Sequence, residues 1–403
     1  MKLLLVALFA AAAPAQDFTQ RGFLETDAYV YPQTAPNDGS HIVGEWLLRY
    51  EAFYKVTPHL RLAGGVDART DTHRETDREF ALSWWDRDRR RPAFEVRRLS
   101  ASYTRGKLTF EAGKQYIRWG RTEVLNPTDR FAPRDFLNVV DNDFLAVTAA
   151  RLQYGGQTNT IDLIFEPRLT PSRVPLLNQR WSVIPDGVQV VEMAPDFPGG
   201  PQFGARWNHV GSVAEYSLSF YNGYDHLPQY TGELLDLRTL RVGLRRSYPQ
   251  MRMYGGDAAV PLSLLTAEVE AAYFTSTSPG TDEYVLYVLQ LERQTGEWTL
   301  AAGYAGQAIT AHGGATTYSP TRGEARSFVA HAGYTIDVNR SFSFETVIRQ
   351  NGRGLYLKPE YTQAFGQHWR ATLGFALIRG SDGDFLGQYH RNSHALAALR
   401  YSF

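Results

Sequence analysis

The sequence predicts an all-β protein, a transmembrane up-and-down antiparallel β-barrel of about 18 strands, with 16 as the runner-up count. Three observations carry that expectation. Runs of alternating apolar and polar residues recur along the chain, tight and long connections alternate between them, and the chain closes on an alternating run that ends in Phe403.

At the start, Lys2 precedes an apolar run from Leu3 to Ala13, and Ala13-Pro14-Ala15 offers the small residues of a cleavage site. Residues 1–15 therefore read as a signal peptide, which leaves 16–403 as a single barrel domain of an exported protein. The run is too short to cross a hydrocarbon core of roughly 30 Å, and no later stretch reaches the roughly 20 apolar residues of a spanning helix.

The strands declare themselves by period-2 alternation. Leu60, Leu62, Gly64, Val66 and Ala68 interleave with Arg61, Ala63, Gly65, Asp67 and Arg69. Phe342, Phe344, Thr346 and Ile348 interleave with Ser343, Glu345 and Arg349, and Trp369, Ala371, Leu373, Phe375 and Leu377 with Arg370, Thr372, Gly374 and Ala376. In the last run, Ala395, Ala397, Leu399, Tyr401 and Phe403 share one face, and Leu396 is an apolar misfit on the other. A water-soluble sandwich would alternate in the same way. Connection lengths separate the two. Tight turns at Thr57-Pro58, Arg105-Gly106, Gly155 to Gln157, Gly211, Pro261, Thr295-Gly296, Val338-Asn339 and Gly366-Gln367 are interleaved with mostly long polar connections, two of them at 120–143 and 168–200. That order belongs to a barrel with short periplasmic turns and long external loops. The alternating runs give nineteen candidates; merging Arg238–Arg246 with Met251–Ala259 into one bulged strand restores the even number that a bacterial barrel requires.

Composition excludes other classes. Lys and Arg total 42 against 42 Asp and Glu, so there is no basic excess for nucleic acid. With no cysteine the chain has no disulfide framework, thiolate metal site or cysteine nucleophile. No His-Glu-x-x-His or Gly-x-Ser-x-Gly signature appears, and neither cofactor nor metal is expected. His209, on the apolar phase of a strand, is the weak candidate for a base in a barrel hydrolase. That hydrolase and a secreted all-β binding or adhesion protein are the competing readings.

Strand phase assigns Arg49, Arg61, Arg69, Arg98, Arg151, Arg206, Arg241, Arg349 and Arg370 to the inner face, with Glu111, Glu268 and Glu270 among the opposing acids. A lumen of balanced charge is wet and has no strong preference for one sign. Many of these charges could equally pair to stiffen the wall. The polar, proline-broken segment 120–143 cannot be a strand; folded inward, its Asn126, Asp129, Arg130, Arg134 and Asp135 would form a constriction of opposed charges, and a loop packed outside the membrane is the equal alternative. The cluster Arg87-Asp88-Arg89-Arg90-Arg91 is placed at the outer loop base and read first as a solvated charge run, with binding of lipopolysaccharide phosphates as the alternative.

Gly113-Lys114-Gln115-Tyr116-Ile117-Arg118-Trp119-Gly120 followed by Asn126-Pro127-Thr128-Asp129 resembles the Gly-x-Gln strand, Trp-Gly corner and Asn-Pro-x-Asp loop of an uncharacterised porin-like family of Gram-negative outer-membrane proteins. The Pro-rich stretch with Pro171, Pro175, Leu176, Arg180 and Trp181 is similar to the loop that follows in that family. The resemblance implies a bacterial outer-membrane channel of unspecified substrate; together with the residue reading, the expectation is passive passage of a small organic solute or ions. Outer-membrane lipid is the implied surrounding, and Phe403 resembles the C-terminal signal read by the barrel assembly machinery.

Overall fold

Alternation becomes geometry in a computed structural model of the chain, which describes residues 17–36, 38–80, 82–123, 125–184, 188–311, 313 and 326–403. The expected signal peptide, 1–15, lies outside the described residues. Among those residues eighteen strands form the wall: β1 Phe18–Val30, β2 Ile42–Lys55, β3 Leu60–Asp71, β4 Phe94–Arg105, β5 Leu108–Gln115, β6 Val147–Gly155, β7 Asn159–Glu166, β8 Gln202–Val210 and β9 Glu215–Tyr224 make up the first half. The second half is β10 Gln250–Pro261, β11 Thr266–Thr275, β12 Glu283–Thr295, β13 Trp298–Ala311, β14 Ser327–Asp337, β15 Arg340–Arg349, β16 Leu355–Phe365, β17 Trp369–Arg379 and β18 His394–Ser402. Each pairs antiparallel with its sequence neighbours, and β1 pairs with β18, from Phe23 opposite Ser402 to Val30 opposite Ala395. The sheet is therefore closed, which leaves no barrel strand with an unpaired edge.

The outer face is apolar because lipid leaves a charge there unsolvated, at a cost of about 2–4 kcal/mol near the midplane. Leu24, Leu48, Leu62, Leu289, Leu373 and Leu399 all point outward and are exposed. At the tight-turn end, pairs of large aromatics ring the barrel: Trp207 with Tyr216 at 5.6 Å, Trp298 with Tyr334 at 4.6 Å and Trp369 with Tyr401 at 4.9 Å. Such a girdle marks the boundary between hydrocarbon and water. No helix among the described residues is long and apolar enough to cross a membrane.

Two local departures matter inside. A bulge at Arg97 breaks the register between β3 and β4, so Arg97 and Arg98 both turn inward, the first to Asp143 at 3.0 Å and the second to Glu111 at 3.5 Å. Leu396, the misfit of the last strand, packs against an inner cluster of Tyr29, Tyr31 and Val43.

The count of eighteen is right, but the merging that produced it is corrected. Only Gln250–Pro261 is a barrel strand; Arg241–Ser247 pairs instead with Gln229–Asp236 and Gln189–Glu192 in a three-stranded sheet built from the long connections. Pro249 and the buried Tyr248 separate the two, so nothing carries one strand into the other. Arg241 is exposed on this sheet and does not line the barrel.

The seam between first and last strands depends on a glycine. A β-carbon at Gly22 would meet the Phe403 ring at 2.6 Å and the Arg49 carbonyl at 2.8 Å, while the Gly22 and Phe403 backbones exchange hydrogen bonds of 3.0 and 2.9 Å. Gly22→Val is expected to destabilise the closed barrel by about 1–3 kcal/mol through overpacking. Heat-modifiable gel migration measures this: the conversion temperature should fall for Gly22→Val and fall less for Gly22→Ala, whereas equal temperatures would remove the seam's role.

Candidate functional site

The connection between β5 and β6 runs into the barrel and is bolted to its inner wall. Its first turn forms because the Asp129 carboxylate accepts the N–H groups of Trp119 and Gly120, with Arg118 3.5 Å away, while the Asn126 amide donates to the Thr122 carbonyl. The turn needs a glycine at 120, where a β-carbon would lie 2.3 Å from the Asn126 side chain.

Glu270 of β11 fastens this turn. Fully buried, its carboxylate accepts the backbone N–H of Arg121 (2.8 Å), Thr122 (3.2 Å) and Thr128 (2.9 Å) and the hydroxyls of Thr122 (3.2 Å) and Thr128 (2.8 Å). Asp257 of β10 takes Arg121 at 2.8 Å and Arg206 at 2.7 Å, and Arg206 also donates to the Trp119 carbonyl. Asp162 holds the Trp119 indole at 3.0 Å and Arg151 at 2.6 Å. Beneath these bonds Trp119 and Phe131 sit edge-on at 5.4 Å in an apolar cluster with Tyr221, Met253, Phe274 and Leu286. This side of the lumen is a packed core, not the wet, charge-lined surface expected from strand phase. Arg151, Arg206 and Glu270 face inward as expected, but they act as fasteners.

The same connection then reaches the opposite wall. Asp141 meets Lys358 of β16 at 2.6 Å, and Asp143 meets Arg49 of β2 at 3.1 Å and Arg97 of β4 at 3.0 Å. Those two arginines outweigh the upward push of burial and hold the Asp143 carboxyl down at about 2. The connection thus spans the lumen.

The connection after β7 packs on top of it. Arg173, fully buried, pairs with Asp86 at 2.6 Å and Asp135 at 3.1 Å; Arg91 pairs with Asp135 at 2.9 Å, Glu75 at 3.1 Å and Glu45 at 3.3 Å. Burial would raise the Asp135 carboxyl, but Arg91 and Arg173 outweigh it and keep it well below the usual carboxylate range. Asp135 is accordingly a buried structural ion and not a member of the constriction. Arg180 lies over the Tyr31 ring at 3.5 Å, and Trp181 packs on Tyr389 at 5.7 Å. His226, from the connection after β9, has its ring nitrogens 2.6 Å from the Thr170 carbonyl and 2.7 Å from the Arg130 carbonyl, which joins three connections.

These inward connections also claim Arg87, Arg89 and Arg91 of the basic cluster 87–91, so that neither a solvated charge run nor a lipid site at the outer rim describes it; of its arginines Arg90 alone stays exposed. Arg87 donates to the Leu169 carbonyl at 2.9 Å, Arg89 pairs with Glu192 at 2.8 Å, and Arg91 is in the buried network. Glu45, Glu75 and Asp135 draw Arg91 inside, and Glu192, about a hundred residues away in sequence, holds Arg89.

A cavity of about 320 Å³ lies between the inward connection and the wall from β12 to β16. Asn126, Asp129, Arg130 and Arg134 line it from the connection; Glu345 and Arg349 line it from the wall. Arg130 lies over the Phe274 ring at 5.0 Å and Arg134 over Phe144 at 4.1 Å, so both guanidinium planes are held. The rest of the lining is largely apolar, including Phe136, Val139, Val140, Leu286, Val329 and Val347. Sequence reasoning missed this apolar share, because Leu286 and its neighbours belong to a stretch of β12, residues 284–291, with apolar side chains on both faces.

The remaining expected lining residues divide. Arg69 is locked to Asp67 at 2.6 Å, alongside Arg49, and Glu268 accepts from Gln290 at 3.3 Å. Arg61 and Arg370 stay exposed on inward positions near the tight-turn mouth. His209 sits on the outer face, bonded to Asn159 at 3.0 Å and stacked on Tyr216 at 4.8 Å. Among the described residues no group of three or more metal-ligating side chains is gathered.

A pH response follows from His73, in the connection after β3. Burial alone would push its imidazole down, but Glu75 at 3.2 Å and Asp38 at 2.5 Å hold it above its ordinary 6.5. The stabilisation is complete below about pH 6.5 and is lost as pH rises through the raised value. The melting temperature of wild type should exceed that of His73→Gln at about pH 5.5, with the gap closing towards about pH 9; a gap independent of pH would show that the charged imidazole contributes nothing.

Comparison with solved structures agrees with this architecture. Acinetobacter baumannii OccAB4 aligns over 97% of this chain and 100% of its own with a TM-score of 0.55 at 11% identity. A BenF-like porin from Pseudomonas fluorescens Pf-5 aligns over 96% and 97% with a TM-score of 0.57 at 11% identity. The fold is that of the outer-membrane porins. Pseudomonas aeruginosa OpdQ aligns similarly, over 96% and 98%, with a TM-score of 0.54 at 12% identity. No protein-family model matches the sequence, and no curated protein matches it significantly.

Proposed function

We propose that the protein is an outer-membrane channel through which a small organic solute passes passively, without chemistry on the solute. The observation that carries this reading is the open cavity beside the inward connection. Loops that merely plugged the barrel would have no reason to leave an amphipathic space of about 320 Å³ framed by Arg130, Arg134 and Arg349 on one hand and by Phe136, Val139 and Val347 on the other. A space of that size suits solutes of a few to about a dozen heavy atoms carrying both a polar and an apolar part. The porin fold, the lipid-facing outer surface and the aromatic girdle support the membrane setting. Liposome swelling tests the reading: vesicles containing the protein should admit small polar organic solutes up to a sharp size limit, and vesicles no more permeable than protein-free ones would overturn it.

A further inference from the structure

Arginines drawn inside the barrel are mostly paired, but those along one arc of the long-loop rim are not. Strand parity turns Arg379, at the end of β17, to the outer face directly above Leu377 and Phe375. Arg353, from the short connection between β15 and β16, and His390, from the 3-10 helix Gly387–Asn392, border the same groove, whose volume is about 660 Å³. Both arginines are exposed, and among the described residues neither has an acidic partner; the nearby Asp382 lies 3.4 Å from His390.

The wall below the groove is shallow. On the outer face Ala395 stands between Phe375 and Val30, and Ala397 between Leu373 and Ala28, so the small side chains of Ala28, Ala395 and Ala397 leave a trough running down from the groove beside Phe375, Leu373 and Val30. Two free guanidinium groups above an apolar trough match a ligand with a phosphorylated head and an aliphatic tail, because guanidinium binds phosphate through paired charge-assisted hydrogen bonds.

We infer that this groove seats the phosphorylated headgroup of an outer-leaflet glycolipid, with one acyl chain lying along Ala395 and Ala397. The inference rests on the outer-membrane setting proposed above, and not on conductance. It moves the lipid contact from the 87–91 cluster, whose Arg87, Arg89 and Arg91 are engaged by the inward connections, to residues that the sequence does not single out.

The full-length barrel in detergent is titrated with bis-phosphorylated lipid A, dephosphorylated lipid A and inorganic phosphate, and binding is read by native mass spectrometry. Saturable binding of phosphorylated lipid A is expected, weakened by about tenfold or more in Arg353→Ala/Arg379→Ala and unchanged in Arg238→Ala/Arg241→Ala, which removes two exposed arginines elsewhere. Arg353→Gln should give an intermediate loss should the double variant not form a heat-modifiable barrel. Equal binding by the double variant and wild type, or by the dephosphorylated lipid, overturns the inference. Displacement of lipid A by inorganic phosphate at matching concentration also overturns it, since that marks an ion site and not a lipid seat. Membrane fractionation tests the setting separately: a barrel found in the outer membrane whose double variant binds normally loses only the groove.

Discussion

Replacing Glu270 with Ala should release the inward connection from the wall and raise single-channel conductance about twofold or more, because one buried carboxylate serves five donors there. Each donor left unpaired out of reach of water costs about 1–3 kcal/mol, although the losses are not additive. The least costly response is for residues 121–128 to move into the lumen's water, and that undoes the turn that carries Asp129 and Arg130. Glu270→Gln keeps an acceptor oxygen but adds donors where only donors converge, so it should lie between Ala and wild type. The strands of the wall are held by their own ladders, and heat-modifiable migration should survive in both variants. Conductance identical to wild type in a folded Glu270→Ala barrel would mean that the connection does not limit the passage.

The second large effect is on ion preference. With Arg130 and Arg134 replaced by Ala, the cavity keeps Arg349 and Glu345 on the wall and Asp129 on the connection. A unit charge about 5 Å from a passing ion, at an effective dielectric constant of about 60, is worth about 1 kcal/mol, or roughly sixfold in local ion concentration. Reversal potentials in a salt gradient should therefore shift towards cations by a factor of that order or more. Arg349 is partly engaged by Asp384 at 3.5 Å and does not restore the balance. An unchanged reversal potential would mean that ions pass elsewhere.

Much of the wall was legible because a strand reports its faces with a period of two residues and lipid punishes a slip in phase. Leu60 to Arg69 and Trp369 to Leu377 needed nothing more. The tight turns were equally plain, since glycine, proline and asparagine mark them locally. The stretch 238–259 misled because its alternation continues across Pro249, while the partners of Arg241–Ser247 lie at 189–192 and 229–236.

The interior was legible only in part. Phase correctly turned Arg151, Arg206 and Glu270 inward, but whether an inward charge meets water or a loop depends on contacts such as that of Arg121 with Glu270, 149 residues apart. Asn126, Asp129, Arg130 and Arg134 could be named from turn chemistry and polarity, and they do line the cavity. Asp135 has the same local character, yet Arg91 and Arg173 bury it. No local pattern distinguishes the two outcomes.

The most direct test is to insert the purified, folded protein into a planar bilayer and record current at fixed voltage. Discrete steps of low conductance are expected, smaller than those of the Glu270→Ala variant in the same salt. A correctly folded, heat-modifiable barrel that inserts and gives no steps, in wild type and variant alike, would contradict the channel.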